Sequence, residues 1–316
     1  MRIVLFLGLL LVLLFGGYVG VAGFFLAHAT TDMLKVGALT GITQVAEPPS
    51  DPLAIGYRGT PMQALSLPFE TVLLETPLGP APAWLVAAKG TETGRAIYIH
   101  GIAGAREDGY RLLTLLHDAG LSVLMITYRN DADAPQTADG TYGFGLTEWP
   151  DLEAAVARMA PAPDGPGVLV VADSMGAAIL GQFLARSGLA GRVSSVALDS
   201  PALSFSAVLD SLSRQGGKPL AGTIAQAAGL MLPRMTGLPF DTAEVADVFG
   251  SFPGPMFIAH GAQDRIVPIG PSQALAAARG TKTVTLWTEA DHLGSFAAAP
   301  EDYRTAFRTF LKGFTG

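Results

Sequence analysis

Residues 170–179, VVADSMGAAI, run apolar residues straight into a serine. Ala172 stands two residues before Ser174 and Gly176 two after it. A strand that stops on one residue and turns at once into a helix needs small neighbours at such a corner. The pattern small-x-Ser-x-Gly meets that demand, with alanine in the place of a first glycine. The corner lifts the Ser174 hydroxyl out of the sheet and aims the N-terminus of the following helix, from Met175 on, at charge that develops beside it. A serine that merely caps a helix is the competing reading of the same stretch.

The rest of the chain supplies the sheet that such a corner requires. Apolar runs at 71–75, 83–88, 96–100, 122–127, 168–172, 194–198, 255–260 and 283–288 read as strands. Most of the later ones alternate with helical stretches. Tyr303, Phe307, Phe310 and Leu311 recur at helical spacing, and Pro150, Asp151 and Glu153 suit a helix start. Continuous apolar strands alternating with helices predict a mostly parallel α/β sheet covered on both faces. The first two strands, joined by a short turn, read as an antiparallel lead-in. More than fifty residues separate the strand ending at Leu198 from the next, and three helix-like stretches fill them. A crossover needs one helix of about a dozen residues. The excess predicts an inserted cap at about 203–252. Its residues Leu230, Met231, Leu232 and Met235 are candidates for an acyl pocket.

Residues 3–27 carry no charge. That run is long enough to cross a membrane with some tilt, and longer than the apolar part of a usual signal peptide. Ala27-His28-Ala29 nevertheless has the small-x-small form of a cleavage site. An uncleaved anchor over 1–29 is favoured over a signal peptide. Arg2 precedes the run, while Asp32 and Lys35 cancel after it. The positive-inside rule then places the bulk of the chain outside the cytoplasm. Residues 30–68, rich in Pro and Gly, read as a linker and lead-in, and 69–316 as the folded domain.

The 316 residues carry a net charge of −7 with no Lys/Arg block, so a nucleic acid is not an expected partner. The chain has no cysteine, which removes disulfides, thiolate metal sites and a cysteine nucleophile. No phosphate-cradling loop and no His-x-x-x-His pair occur, so the expected chemistry uses no cofactor or metal. Asp131, Asp133 and Asp139 lack the downstream Glu of a calcium loop and read as a solvated loop. Asp173 reads as an exposed carboxylate at a helix start.

A serine hydroxyl needs a base, and the base a partner that orients it. His292, in a loop between the last strand and the last helix, is the base expected by position and by the chain order Ser, acid, His. His28, His100, His117 and His260 fit less well. Asp264 and Asp199 both follow strands and both qualify as the acid, with Asp264 preferred. A cap or a salt bridge to Arg265 is the alternative role for Asp264. The loop after His100-Gly101 offers the Ile102 amide, which with that of Met175 would form an oxyanion hole.

HGIAG, ADSMGA, HGAQDRIVP and DHLGSF occur in this order. On these pieces the chain, from about Glu70 to its end, resembles the α/β-hydrolase superfamily. YRND, DGTYGFGLTEWPDLEAAV and LDSPALSF resemble more narrowly the bacterial BEM46/ABHD-type serine hydrolases, many of which carry an N-terminal membrane segment. The resemblance implies an eight-stranded sheet in the order 1-2-4-3-5-6-7-8, a helical cap after strand six, and a triad of Ser174, Asp264 and His292. The resemblance transfers no substrate, since this fold hosts many chemistries; the expected function is a membrane-anchored hydrolase of carboxylic esters or thioesters, with small-molecule esters or, from the anchor's location beside lipid, acyl lipids as substrates. A peptidase of the same fold and a non-catalytic membrane-tethered binding protein are the alternatives.

Overall fold

The computed structural model describes residues 1–39, 47–162, 165–280 and 283–314. Residues 40–46 of the expected lead-in lie outside the described residues. Among those described, eight strands form one sheet in the order β1-β2-β4-β3-β5-β6-β7-β8. They are β1 (Glu70–Thr76), β2 (Gly79–Val86), β3 (Gly94–Ile99), β4 (Leu121–Ile126), β5 (Val168–Asp173), β6 (Val193–Asp199), β7 (Met256–Gly261) and β8 (Thr283–Thr288). β1 pairs antiparallel with β2, and β2 with β4. The pairs from β4 through β8 are parallel.

Both sheet faces are buried, and alternation along each strand divides the core. Ile97, Ile99, Val170, Ala172 and Leu198 point to one side. Helices Trp149–Met159 and Met175–Arg186 pack there. Tyr98, Leu169, Val171, Ala197 and Phe257 point to the other. That side is covered by helices Tyr110–Asp118 and Pro300–Phe314, with Tyr303, Phe307, Phe310 and Leu311 buried as their spacing predicted.

One cluster in the core is charged. Arg111 is buried and donates from Nη2 to Asp173 Oδ2 at 2.8 Å and to Asp199 Oδ2 at 3.2 Å. The Tyr98 hydroxyl donates to Asp173 at 2.6 Å and the Tyr303 hydroxyl to Asp199 at 2.9 Å. Asp173 is therefore not the exposed carboxylate expected; it is fully buried. Burial pushes its carboxyl up to about 6 against the pull of Arg111. Two strand ends, β5 and β6, are thus tied to one guanidinium held from the helix beneath them.

Between β6 and β7 lie helices Phe205–Gln215, Ala221–Thr236 and Ala246–Ser251, the helical cap. Of the residues expected to line an acyl pocket, Leu232 is buried in the core, whereas Leu230 is 73% exposed. Leu230 lies at a helix position that turns its side chain away from the domain.

The N-terminal helix, Arg2–Met33, is long and apolar enough to cross a membrane, and its most apolar stretch is uncovered. Its second half is docked. Val19, Ala22, Gly23, Ala27 and Thr30 are buried, and a Cβ on Gly23 would sit 2.8 Å from Ala227 Cβ. Beyond the helix, the Leu34 carbonyl accepts from Tyr142 N–H, and Val36 N–H donates to the Gly140 carbonyl. Further along the lead-in, Gly56 N–H donates to Asp108 Oδ1.

Arg111→Met is expected to strand two buried carboxylates and to cost about 3–5 kcal/mol. Chemical denaturation of the full chain in detergent measures it. Adding Asp173→Asn to that variant should recover part of the loss.

Candidate active site

β5 ends at Asp173, and Ser174 makes the whole turn into helix Met175–Arg186. Its φ is 50° and its ψ −118°, a left-handed conformation that a non-glycine residue holds only under constraint. The constraint is visible in the backbone. Ser174 N–H donates to the Asp199 carbonyl at 2.9 Å, and the Ser174 carbonyl accepts from Ala177 and Ala202 N–H. Gly176 is required for a reason the sequence pattern alone does not give. A Cβ there would lie 2.6 Å from the Ile99 carbonyl oxygen of β3. Gly101 is likewise pressed on the corner, where a Cβ would come 2.9 Å from Ser174 Cβ.

The Ser174 side chain makes no helix cap. It donates instead to His292 Nε2 at 2.8 Å. His292 Nδ1 lies 2.7 Å from Asp264 Oδ2. A carboxylate at Nδ1 fixes the proton on that nitrogen, which leaves Nε2 to accept from the serine. Ser174 is 4% exposed, the His292 side chain 14%, and the Asp264 side chain is buried. The serine is thus nearly covered, next to a partly open imidazole.

Asp264 is held from four directions. Ile266 and Val267 N–H donate to Oδ1, while His292 and His260 face Oδ2 at 2.7 and 3.2 Å. Burial would raise this carboxyl, but the hydrogen bonds from His260 and His292 outweigh it and hold the group well below the usual carboxylate range. His260 is anchored in turn by Ser272 Oγ at 2.8 Å and the Val267 carbonyl at 3.0 Å. Arg265 pairs with Asp291, not with Asp264. Asp199, the other candidate acid, lies with Arg111 and Tyr303 and does not meet His292.

Ile102 follows Gly101 at the end of β3, beside the serine. The Gly101 carbonyl accepts from the Tyr128 hydroxyl at 2.9 Å and from His100 Nδ1 at 2.8 Å. In a planar trans peptide the N–H points opposite to the C=O. Gly104 N–H also donates to the Gly101 oxygen at 3.1 Å, and these three donors turn the Ile102 N–H away from His100, Tyr128 and Gly104. Met175 opens its helix, and its N–H is one of those a helix leaves without an intrahelical acceptor.

His100, Tyr128 and Asp131 were not expected to share a role. Asp131 is not in a solvated loop; it is 9% exposed and accepts from Tyr128 N–H and from His100 Nε2, at 2.8 and 2.9 Å. His100 also stacks on Tyr128. Both ring nitrogens of His100 face acceptors, so the ring needs both protons. Burial opposes that charge, but Asp131 overcomes it and raises the histidine above its ordinary value. The adjacency of His100 to Gly101 was legible; a partner thirty-one residues away in a loop was not.

No family model and no curated protein matches this chain. Solved structures do. An esterase from Pyrococcus furiosus superposes with a TM-score of 0.64 at 19% identity, over 86% of this chain and 99% of that one. A thermophilic esterase from Thermogutta terrifontis gives 0.56 at 14% identity, over 78% and 100%. A bromoperoxidase from Bacillus anthracis gives 0.55 at 15%, over 77% and 100%. Together with the strand order, the cap and the sharp turn at Ser174, these superpositions establish that the chain has the α/β-hydrolase fold.

Proposed function

We propose that this chain is a membrane-anchored serine hydrolase that cleaves carboxylic esters or thioesters. The observation that carries the reading is the continuous relay from Ser174 through His292 to Asp264, at 2.8 and 2.7 Å, drawn from three separate strand ends. The esterases among its structural neighbours support the choice of ester over amide. The buried partnerships made by the YRND and LDSP motifs, Arg129 with Asp151 and Asp199 with Arg111, are consistent with a narrower BEM46/ABHD-type kinship, which is part of the proposal. So is the division into an anchor (1–29), a lead-in (30–68) and a hydrolase domain (69–316) on the outer side of the membrane.

In this mechanism Ser174 Oγ attacks the ester carbonyl carbon as His292 Nε2 takes its proton. Asp264 keeps the imidazole in the tautomer that accepts at Nε2 and stabilises the imidazolium that forms. Charge gathers on the former carbonyl oxygen, facing the N–H groups of Ile102 and Met175. The C–O or C–S bond breaks, and His292 passes its proton to the leaving alcohol or thiol. Water, deprotonated by the same imidazole, releases the acid and restores Ser174. Tyr128 and His100 are positioning residues that aim the Ile102 amide.

A fluorophosphonate probe tests the nucleophile. It should label the folded chain and not Ser174→Ala; folded protein that resists the probe would refute the reading and favour a binding protein. Asp264→Asn should lower kcat on nitrophenyl esters by about 10⁴-fold, because it admits the wrong tautomer. Tyr128→Phe leaves two of three donors on the Gly101 carbonyl. It should lower kcat about tenfold with KM unchanged, less than the ~10²–10³ of deleting an oxyanion donor outright. Asp264 also sets a pH signature. Its depressed carboxyl stabilises the fold fully above the unfolded value near 3.8 and loses that contribution as pH falls through the folded value. The urea-midpoint gap between wild type and Asp264→Asn should therefore close on acidification.

A further inference from the structure

The N-terminal helix has too little free length to cross a bilayer alone. Arg2 bounds its apolar run at one end. At the other, Val19 is the first residue of the helix to be buried against the domain. From Ile3 to Tyr18 the rise is about 22 Å at ~1.5 Å per residue. A hydrocarbon core is about 30 Å thick, and tilt lengthens the path. The missing length is about five residues, 19–23. Within it Val19, Ala22 and Gly23 are buried, and a Cβ on Gly23 would strike Ala227 of cap helix Ala221–Thr236. Whatever holds the far end of this span in lipid brings the cap with it.

The cap surface at that level suits such a place. Leu230 is 73% exposed, three residues from Ala227 and so on nearly the same helix face. Leu220, just before the helix, is 46% exposed, beside Pro219, whose carbonyl accepts from the Tyr18 hydroxyl at 3.3 Å. Phe25, Leu26, Leu212, Ile224 and Lys218 line a crevice of about 280 Å³ between anchor and cap. An apolar flank with a tyrosine and a long-stemmed lysine at its edge has the composition of a bilayer interface.

We infer that the Leu220–Leu230 flank of the cap is seated in the membrane interface beside the anchor, with the lipid bilayer as its partner. The inference rests on reading the N-terminal helix as membrane-spanning. It gives the cap a fixed height on the membrane, and the cap reaches the catalytic acid. From helix Phe205–Gln215, Ser211 Oγ donates to the Arg265 carbonyl at 3.4 Å, and Gln215 Nε2 donates to the same oxygen. Arg265 is the residue after Asp264. The substrate class this favours is an ester that dwells in the bilayer.

The chain has no native cysteine, so single introduced thiols can be spin-labelled cleanly. Leu10→Cys reports the free helix, Leu220→Cys and Leu230→Cys the cap, and Glu301→Cys an exposed surface position. The full chain is reconstituted in phosphatidylcholine vesicles, and nitroxide collisions with oxygen and with a water-soluble nickel chelate are compared. At Leu220 and Leu230 the chelate collision rate should be at least fivefold below that at Glu301, with oxygen favoured. Chelate access at both cap positions equal to that at Glu301, with Leu10 shielded, would overturn the inference and leave the anchor intact. Leu10 open to the chelate would overturn the anchor, and the inference with it.

Discussion

One residue, Ser174, carries the full change of direction from strand to helix, and the rest of the molecule is arranged around that corner. A left-handed φ at a residue with a side chain costs of order 1–3 kcal/mol, so it must be over-determined by its surroundings. β6 supplies an acceptor for its N–H, and the segment after β6 supplies a donor for its carbonyl. Gly101 and Gly176 remove the side chains that would collide with the corner or with β3. The strain has a chemical use. It points the hydroxyl off the sheet, toward the imidazole that two other strand ends deliver.

Below the corner the protein places charge where hydrophobic side chains would pack more simply. Arg111, Asp173 and Asp199 share one buried cluster with two tyrosines, and His100 and Asp131 form another beside it. Buried ion pairs are poor sources of net stability, because desolvation consumes most of their attraction. Their directional bonds do something apolar contacts cannot. Each tolerates only one arrangement of the strand ends it joins, β5 with β6 in one case and β3 with the loop after β4 in the other. These bonds fix how the strand ends meet along the edge that carries Ser174.

The strands, the corner at Ser174 and the base His292 were legible in the sequence, because each leaves a short local sign, whereas the strand order followed only from the family resemblance. Apolar runs of five or six residues mark strands, small residues mark the corner at Ser174, and chain order marks His292 but leaves Asp199 beside Asp264 as a candidate acid. What stayed hidden depends on partners far along the chain. Asp173 and Asp131 read as surface carboxylates because local pattern cannot show Arg111 or His100 folding against them. Leu230 read as pocket lining because its apolar character is the same whether it faces a ligand or the outside. The glycine at 176 was rightly marked as necessary, but its neighbour is a carbonyl of β3, a contact only the assembled sheet creates.

The seam between Gly23 and Ala227–Ala228 makes the first thirty residues an integral part of the folded domain, not a detachable leash. A shortened chain that begins after them would lay bare the side of the cap where Ile224 faces Phe25 and Leu26 and where Ala227 and Ala228 meet Gly23. Grafting a different hydrophobic leader in their place would present bulk where a missing side chain is needed. Interchangeability, the usual privilege of a terminal helix, ends at that one glycine.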